Sequence, residues 1–327
     1  MTPLAFEELY ENEWAELETL LELLAGGRFG APAPGEPESA ARAAALYRRA
    51  CEQLALARAR AYPAYIVDRL ERVTATAHRL IYHRREIDFA RLRRFVAAAF
   101  PAAVRKHAAY VAVAAAVFLV PTIALGLAVY RSPELILSIV GPETVSGFEQ
   151  MYSPTAASIG RTRDASTDWV MFAYYIRNNI GVAFQCFAGG LFAGIGSLFF
   201  LAYNGAFGGA VAGYLTARGL SSTFFPFVST HSAFELTAIV LSGAAGLRIG
   251  RALLAPRDRT RVQALIEATR DAAVLLYGVS AMLVVAAAIE AFWSSAGWLP
   301  PSVKFGVAAA CWTAVLCYFA LQGTHAD

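Results

Sequence analysis

The sequence is poor in charged residues, which make up only 16% of its 327 positions, against the roughly 25% that is usual for soluble domains. Hydrophobic residues reach 57%, and several apolar runs are long enough to cross a bilayer. The net charge of +3 is small, so the composition gives no reason to expect a nucleic-acid site. These features predict an all-α polytopic membrane protein.

Motifs of enzymes and metal centres are also missing. The four cysteines form no CxxC or CxxH pair, so neither a disulfide framework nor a zinc finger is predicted. The segment from His231 to Glu235 is not HExxH, and the segment around Ser197 is not a GxSxG elbow. We therefore predict no catalytic residue, no metal and no cofactor.

Residues 1–88 are polar and contain three amphipathic helical patterns, separated by a Gly- and Pro-rich stretch and by Pro63. The acidic start does not have the pattern of a signal peptide. We predict a small cytoplasmic helical domain. Acidic and basic residues nearly balance in it, which favours a surface for protein partners.

Residues 89–107 form a basic amphipathic segment. Its basic positions are Arg91, Arg93, Arg94, Arg105 and Lys106. Such a segment is typical of a helix that lies on the cytoplasmic leaflet and contacts anionic lipid. An ordinary basic flank before the first span is the alternative.

The remaining residues, 108–327, read as a transmembrane domain. Its six predicted spans are 108–130, 178–203, 204–217, 224–254, 272–293 and 303–321, with a polar outer loop at 131–177. Lys and Arg concentrate before the first span and at 248–270, which places both termini in the cytoplasm of a bacterial inner membrane. Because the third span is short and Gly-rich, spans two and three could instead form a re-entrant hairpin, leaving four full spans.

Glycines at a spacing of four predict close helix packing within this domain. They are Gly190, Gly194, Gly205, Gly209, Gly213, Gly246 and Gly250. Small residues at this spacing let helix backbones approach each other in lipid. We expect a dense core from spans two to four, within one chain or across a homodimer, and a cytoplasmic turn at Asn204.

Ionisable residues inside the spans are rare, and two of them are the carboxylates Glu235 and Glu290. His231 precedes Glu235 by one helical turn, about 6 Å. The predicted topology brings these residues to one level in the outer half of the membrane. The complete predicted cluster is Arg177, Asn178, Asn179, His231, Glu235 and Glu290. It suits either proton or cation handling or a structural joint supported by a helix dipole.

The segments NNIGVAF, LAYNGAFGG, HSAFELTAI and IEAF, in this order, resemble the stage II sporulation protein M family of bacterial membrane proteins. His231, Glu235 and Glu290 match the family's pattern, whereas Ser232 and Thr237 stand where the family often has Gly and Pro. The N-terminal region resembles the branch that carries a cytoplasmic helical domain.

The resemblance implies an anchor or organiser without catalysis of its own, since the namesake members associate with peptidoglycan-degrading partners at the septal membrane. We therefore expect a non-enzymatic scaffold that recruits partners through the N-terminal domain or the outer loop. An ion or small-solute channel or transporter that uses the polar cluster is the alternative.

Overall fold

The computed structural model of the chain describes residues 1–26, 36–82, 89–155, 165–256 and 258–323. All regular structure in these ranges is helical, as the composition predicts. The chain divides into two compact units, Met1–Asp88 and Phe89–Asp327. Among the described residues, five helices are long and apolar enough to cross a membrane, and all of them belong to the second unit.

Three helices build the first unit: α1 at Pro3–Gly26, α2 at Glu36–Ala59 and α3 at Ala64–Tyr82. Their apolar positions recur every three or four residues, so each helix contributes one stripe to a shared core. Trp14 of α1 is 1% exposed in this core, and its indole N–H donates a 2.6 Å hydrogen bond to Gln53 Oε1 of α2. This bond satisfies the one polar atom of a large buried side chain.

Ion pairs join α1 to the other two helices on the surface of the unit. Arg42 of α2 donates to both carboxylate oxygens of Glu16 at 2.7 Å, and Arg69 of α3 donates to Glu18. Arg42 and Glu16 are about half exposed, and such pairs contribute little to stability because solvent screens them. Burial of the apolar core therefore provides most of the stability.

We expect the substitution Leu17→Ala to loosen the first unit, because Leu17 is fully buried in its core. Removing a buried leucine side chain costs about 2–5 kcal/mol. The matched substitution Leu9→Ala on the same helix removes a side chain that is 56% exposed and should cost less than about 0.5 kcal/mol. Hydrogen exchange of residues 1–82 in the full chain measures both effects, and equal protection in the two variants would contradict the prediction.

The basic segment comprises α4 at Phe89–Arg94, a π-helical turn at Phe95–Ala99 and α5 at Phe100–Lys106. Phe100 is 4% exposed, and its ring lies directly against the backbone of Gly278. Leu92 and Val96 are about half exposed. The apolar residues of this amphipathic segment are thus divided between the helix bundle and the surface.

Two of the five basic residues in this segment bind other parts of the same unit. Arg105 donates to the carbonyl oxygens of Phe319, at 3.0 Å, and of Gln322. Lys106 forms a 2.8 Å ion pair with Asp271. Arg93 and Arg94 are exposed, and the side chain of Arg91 lies outside the described residues.

The other helices of the second unit are α6 at Ala108–Arg131, α7 at Pro142–Met151, α8 at Ala165–Ala188, α9 at Ile195–Ala217, α10 at Ser221–Val228, α11 at Ser232–Leu254, α12 at Arg261–Ala288 and α13 at Pro301–Leu321. α12 continues through a π-helical turn at Ile289–Ser294. The five candidate spans are α6, α9, α11, α12 with its π-helical turn, and α13. Five of the six predicted spans thus have a candidate in the structure. α8 has the length of a span but carries Arg177, Asn178 and Asn179 in its middle, so the sixth span stays a prediction.

The chain reverses direction between α8 and α9 at residues 189–194. Ala193 and Gly194 both adopt the left-handed backbone conformation, with φ angles of 55° and 86°. Glycine adopts this conformation without steric cost. The two arms of the reversal also touch, since a Cβ on Gly189 would lie 2.5 Å from the carbonyl carbon of Gly196.

This reversal shows that the predicted spans 178–203 and 204–217 were divided at the wrong place. Asn204 lies inside α9 and forms no turn; its side chain donates a 2.7 Å hydrogen bond to the Phe200 carbonyl one turn earlier. Gly205 beside it packs against α6. The third predicted span was short only because of this error, since α9 has 23 residues.

Glycine contacts show that α6 and α9 run in the same direction. Gly205 lies against Phe118, and Gly213, two turns later, lies against Gly126. Because α6 and α9 run in the same direction, the chain between them must return to the side on which α6 began. Among the described residues α8 is the long helix that provides it.

α8 in turn runs parallel to α11 inside the second unit. The hydroxyl of Ser242 on α11 donates a 2.5 Å hydrogen bond to the Ala183 carbonyl of α8. Further towards the C-terminal ends of both helices, Gly250 of α11 lies against Gly194, in the reversal that follows α8. α8 is therefore packed among the candidate spans although its own sequence is the most polar of the group.

Helices also begin earlier than the hydrophobic pattern indicated. α8 begins at Ala165, inside the predicted outer loop 131–177, which also contains α7. α12 begins at Arg261, well before the predicted fifth span, because Thr260 and Gln263 form a capping box there. Polar first turns extend these helices beyond the length that the apolar run alone predicts.

Candidate functional site

The candidate site begins where the predicted span 224–254 divides into two helices. α10 ends at Val228, and α11 begins at Ser232 with His231 directly before it and Glu235 in its first turn. The helix dipole stabilises a negative side chain in this position. The polar pair thus lies at a helix N-terminus inside what the sequence presents as one span.

The third side chain comes from the π-helical turn at the end of α12. Glu290 lies in this turn, which inserts an extra residue per turn and changes the direction of the side chains; such turns are frequent at functional sites. One ligand atom from each of His231, Glu235 and Glu290 lies within 4.8 Å of the other two. We name these three residues the His–Glu–Glu cluster.

The imidazole of His231 is held between two neighbours. Its Nδ1 is 3.0 Å from the hydroxyl oxygen of Ser294, and its Nε2 is 3.8 Å from Glu235 Oε2. The ring of Phe227 packs edge-on against it. His231 is 5% exposed, so these contacts fix the orientation of the ring.

A buried lysine that the sequence analysis missed connects α13 to this cluster. The ammonium group of Lys304 donates a 2.7 Å hydrogen bond to the Ser294 carbonyl, and the Lys304 carbonyl accepts one from Thr230. Lys304 is 3% exposed. Its only signal in the sequence is a single cation at the start of an apolar run, which is also the pattern of an ordinary membrane-interface residue.

The three predicted residues on α8 have different positions. Arg177 and Asn178 are exposed, whereas Asn179 is 2% exposed. The sequence analysis placed Asn178 at the start of the second span, but all three residues lie in the middle of α8. Asn178 donates a 3.1 Å hydrogen bond to the Asn179 side-chain oxygen. The structure brings His231, Glu235 and Glu290 of the predicted cluster together.

Four buried polar atoms of the second unit have no hydrogen-bond partner within the described part of the chain. They are His107 Nε2, Asn179 Nδ2, Ser229 Oγ and Trp293 Nε1. Ser229 lies two residues before His231, and Trp293 lies in the same π-helical turn as Glu290. Buried polar atoms without partners are uncommon in proteins.

A second polar cluster lies about 20 Å along α11, towards its C-terminal end. Asp271 accepts hydrogen bonds from Lys106, at 2.8 Å, and from Arg248, at 3.3 Å, and its carboxylate is 3.7 Å from His107 Nε2. Burial lowers the pKa of His107 from its ordinary value of 6.5, and the Asp271 charge opposes this only in part. The Asp271 cluster was missed because the predicted fifth span began one residue later.

All seven predicted packing glycines lie against atoms of their own chain. Gly190 lies against Gly246, and Gly194 against Gly250, which joins the reversal to α11. The three on α9, Gly205, Gly209 and Gly213, lie against Phe118, Thr122 and Gly126 of α6. The dense core therefore forms within a single copy, and a homodimer stays a prediction.

Comparison with known proteins matches both units to families. The family model described as Stage II sporulation protein M covers residues 110–295, which include α8 to α12 and all three residues of the His–Glu–Glu cluster. Residues 4–83 match a domain of unknown function, DUF8413. Searches of curated proteins and of solved structures found no match. The match over more than half of its length shows that the chain belongs to the Stage II sporulation protein M family.

Proposed function

We propose that this protein is a non-enzymatic membrane scaffold that recruits other proteins to the bacterial inner membrane. The observation that carries this proposal is the separate first unit. Among the described residues, α1, α2, Tyr62 and α3 contribute to one hydrophobic core that runs from Phe6 to Ala77, and this unit forms a compact body of its own. A unit with its own core can bind a partner through its polar surface while the other unit stays embedded in lipid.

The absence of catalysis is part of this proposal, and the surroundings of His231 support it. The hydroxyl nearest to the imidazole belongs to Ser294, and the pair resembles the serine and histidine of a hydrolase. Ser294 is fully buried, however, and its carbonyl holds Lys304. A nucleophile must reach its substrate, so this contact is better explained as a joint between α11, α12 and α13.

We further propose that both termini lie in the cytoplasm. α8 returns the chain between the parallel helices α6 and α9, so a chain that passes through α6, α8, α9, α11, α12 and α13 ends on the side where it began. The excess of Arg and Lys before α6 and between α11 and α12 supports a cytoplasmic location for that side. Arg93 and Arg94, which are exposed next to Leu92, are the residues that we expect to contact anionic lipid.

A second candidate function is an ion or small-solute channel or transporter. The observation that favours it is the meeting of a histidine and two carboxylates inside the second unit, next to a π-helical turn. Ionisable groups at membrane depth are costly and often line a transport pathway. The same groups also serve a scaffold as a structural joint, so a functional test has to separate the two.

The test compares the full chain with two variants in the native bacterium and in liposomes. One variant lacks residues 1–88, and the other carries Glu235→Gln and Glu290→Gln. A proximity-labelling enzyme fused to each chain reports its neighbours. A scaffold should lose its labelled neighbours with residues 1–88 and keep them with both glutamines.

The deletion removes no residue from the hydrophobic clusters of the second unit, so membrane insertion is expected to survive it and is checked by fractionation. Purified protein in liposomes is tested for proton and cation flux. The transporter would be the better explanation if the flux disappeared in the glutamine variant and the labelled neighbours stayed unchanged after deletion of residues 1–88.

A further inference from the structure

We propose that the His–Glu–Glu cluster binds one divalent transition-metal ion of the Zn²⁺ class. One ring nitrogen of His231 and one carboxylate oxygen each from Glu235 and Glu290 all lie within 4.8 Å of one another, and we assign the nitrogen as Nε2. One imidazole nitrogen and two carboxylate oxygens form a donor set that first-row transition metals accept, with a fourth position left for water. The inference goes beyond the scaffold and does not depend on it.

The distances are compatible with this ion after small side-chain movements. Zn–N and Zn–O bonds of about 2.0–2.2 Å place neighbouring ligand atoms about 3.3–3.6 Å apart in a tetrahedral site. His231 Nε2 and Glu235 Oε2 are 3.8 Å apart, which is too long for a hydrogen bond and close to the spacing of two ligands. All three ligand atoms lie within 4.8 Å of one another, so side-chain shifts of about 1 Å bring them to this spacing.

The orientation of His231 is the one that a metal ligand requires. In metal sites the imidazole nitrogen that does not bind the metal is usually held by a hydrogen bond, which fixes the ring and its tautomer. Ser294 provides this contact to Nδ1 at 3.0 Å, leaving Nε2 on the side of Glu235. The lone pair of Nε2 is then available when Nδ1 carries the proton.

Two buried polar atoms without partners, close in sequence to the ligands, are a second and independent observation. Ser229 Oγ and Trp293 Nε1 are buried without a hydrogen-bond partner among the described residues. Such atoms commonly mark a water or ion site. Ser229 and Trp293 come from the two segments that supply His231 and Glu290, so a water on the fourth metal position would be close to both segments.

Lys304 is the cation that competes with this assignment. Its ammonium group donates to the Ser294 carbonyl, and it belongs to the same buried network. If Lys304 alone balanced the carboxylates, the wild-type protein would take up no metal and only a variant without this lysine would do so. The test therefore includes Lys304→Met.

The experiment uses the purified full chain in nanodiscs, stripped with a chelator and reloaded with Zn²⁺ alone. Mass spectrometry of the metal content and calorimetry are expected to give one Zn²⁺ per chain. Glu235→Gln, Glu290→Gln and His231→Ala should weaken binding by about 100-fold or more, and Ser294→Ala by about 10–100-fold through loss of ring orientation. Glu267→Gln, on α12 but far from the cluster, should bind as the wild type does.

Wild-type metal content decides the proposal even if a variant fails to fold. A wild-type chain without stoichiometric Zn²⁺, or one that gains it only with Lys304→Met, would overturn it. Unchanged affinity in folded His231→Ala or Glu290→Gln protein would do the same. Mg²⁺ and Ca²⁺ prefer sites made only of oxygen, so binding of either as tightly as Zn²⁺ would exclude the transition-metal class.

Discussion

Replacing Gly209 with alanine is expected to destabilise the second unit more than the same replacement at any other glycine of α9. An added Cβ at this position would lie 2.7 Å from the Thr122 carbonyl carbon and 2.8 Å from its Cα. Both are backbone atoms of α6, so no side-chain rotation can relieve the overlap and the helices must separate. Overpacking of a dense core costs about 1–3 kcal/mol and sometimes more.

The neighbouring substitution Gly208→Ala is the matched control. Nothing lies within 4 Å of a Cβ at Gly208, and both glycines belong to the same helix. Alanine favours a helix over glycine by about 1 kcal/mol at either position, so the difference between the variants isolates the contact with α6. Thermal unfolding in detergent measures it; equal stability of the two variants would mean that α6 and α9 are not in contact at Gly209.

Replacing Asp271 with asparagine is expected to destabilise the protein by about 3 kcal/mol. Asp271 and Arg248 are both less than one-fifth exposed, so the substitution removes the charged hydrogen-bond partner of a largely buried guanidinium. Lys106 is mostly exposed and contributes little, because solvent screens its charge. The effect therefore comes chiefly from Arg248.

The control for this prediction is Asp258→Asn, which changes an exposed acidic residue near the same end of α11. It should alter the free energy of unfolding by less than about 0.5 kcal/mol. Denaturant unfolding in nanodiscs, with both variants in the same lipid, compares the two. If Asp271→Asn lowered the free energy of unfolding as little as Asp258→Asn does, the ion pair with Arg248 would be open to solvent in the membrane-embedded protein.

The sequence predicted the most important part of the candidate site. Glu235 and Glu290 were identified because carboxylates are rare in apolar spans, and His231 because it precedes Glu235 by one helical turn. Their meeting was inferred from topology, which needs only helix directions. Lys304 and Ser294 could not be found this way, since a lysine near a span end and a buried serine are common and their role depends on which helix packs beside them.

The wrong division between the second and third spans has a similar cause. Asn-Gly is a strong turn signal in short polar connections, but Gly205 is used for close packing with α6 and Asn204 bonds to its own helix. The true reversal near Gly194 lies in a stretch that is equally rich in glycine. Local sequence does not distinguish a glycine that turns the chain from one that admits a neighbouring helix.

The sequence by itself determined that the protein is a helical membrane protein, that a polar helical region precedes the spans, and that a few ionisable side chains interrupt its apolar segments. These properties follow from hydrophobicity and helical periodicity, which are local. Only the tertiary structure decided where α8 turns into α9, which glycines meet which helix, that His231, Glu235 and Glu290 come together, and that Ser294 links His231 to Lys304. Those properties depend on contacts between segments far apart in the chain, and such contacts leave no pattern in either segment alone.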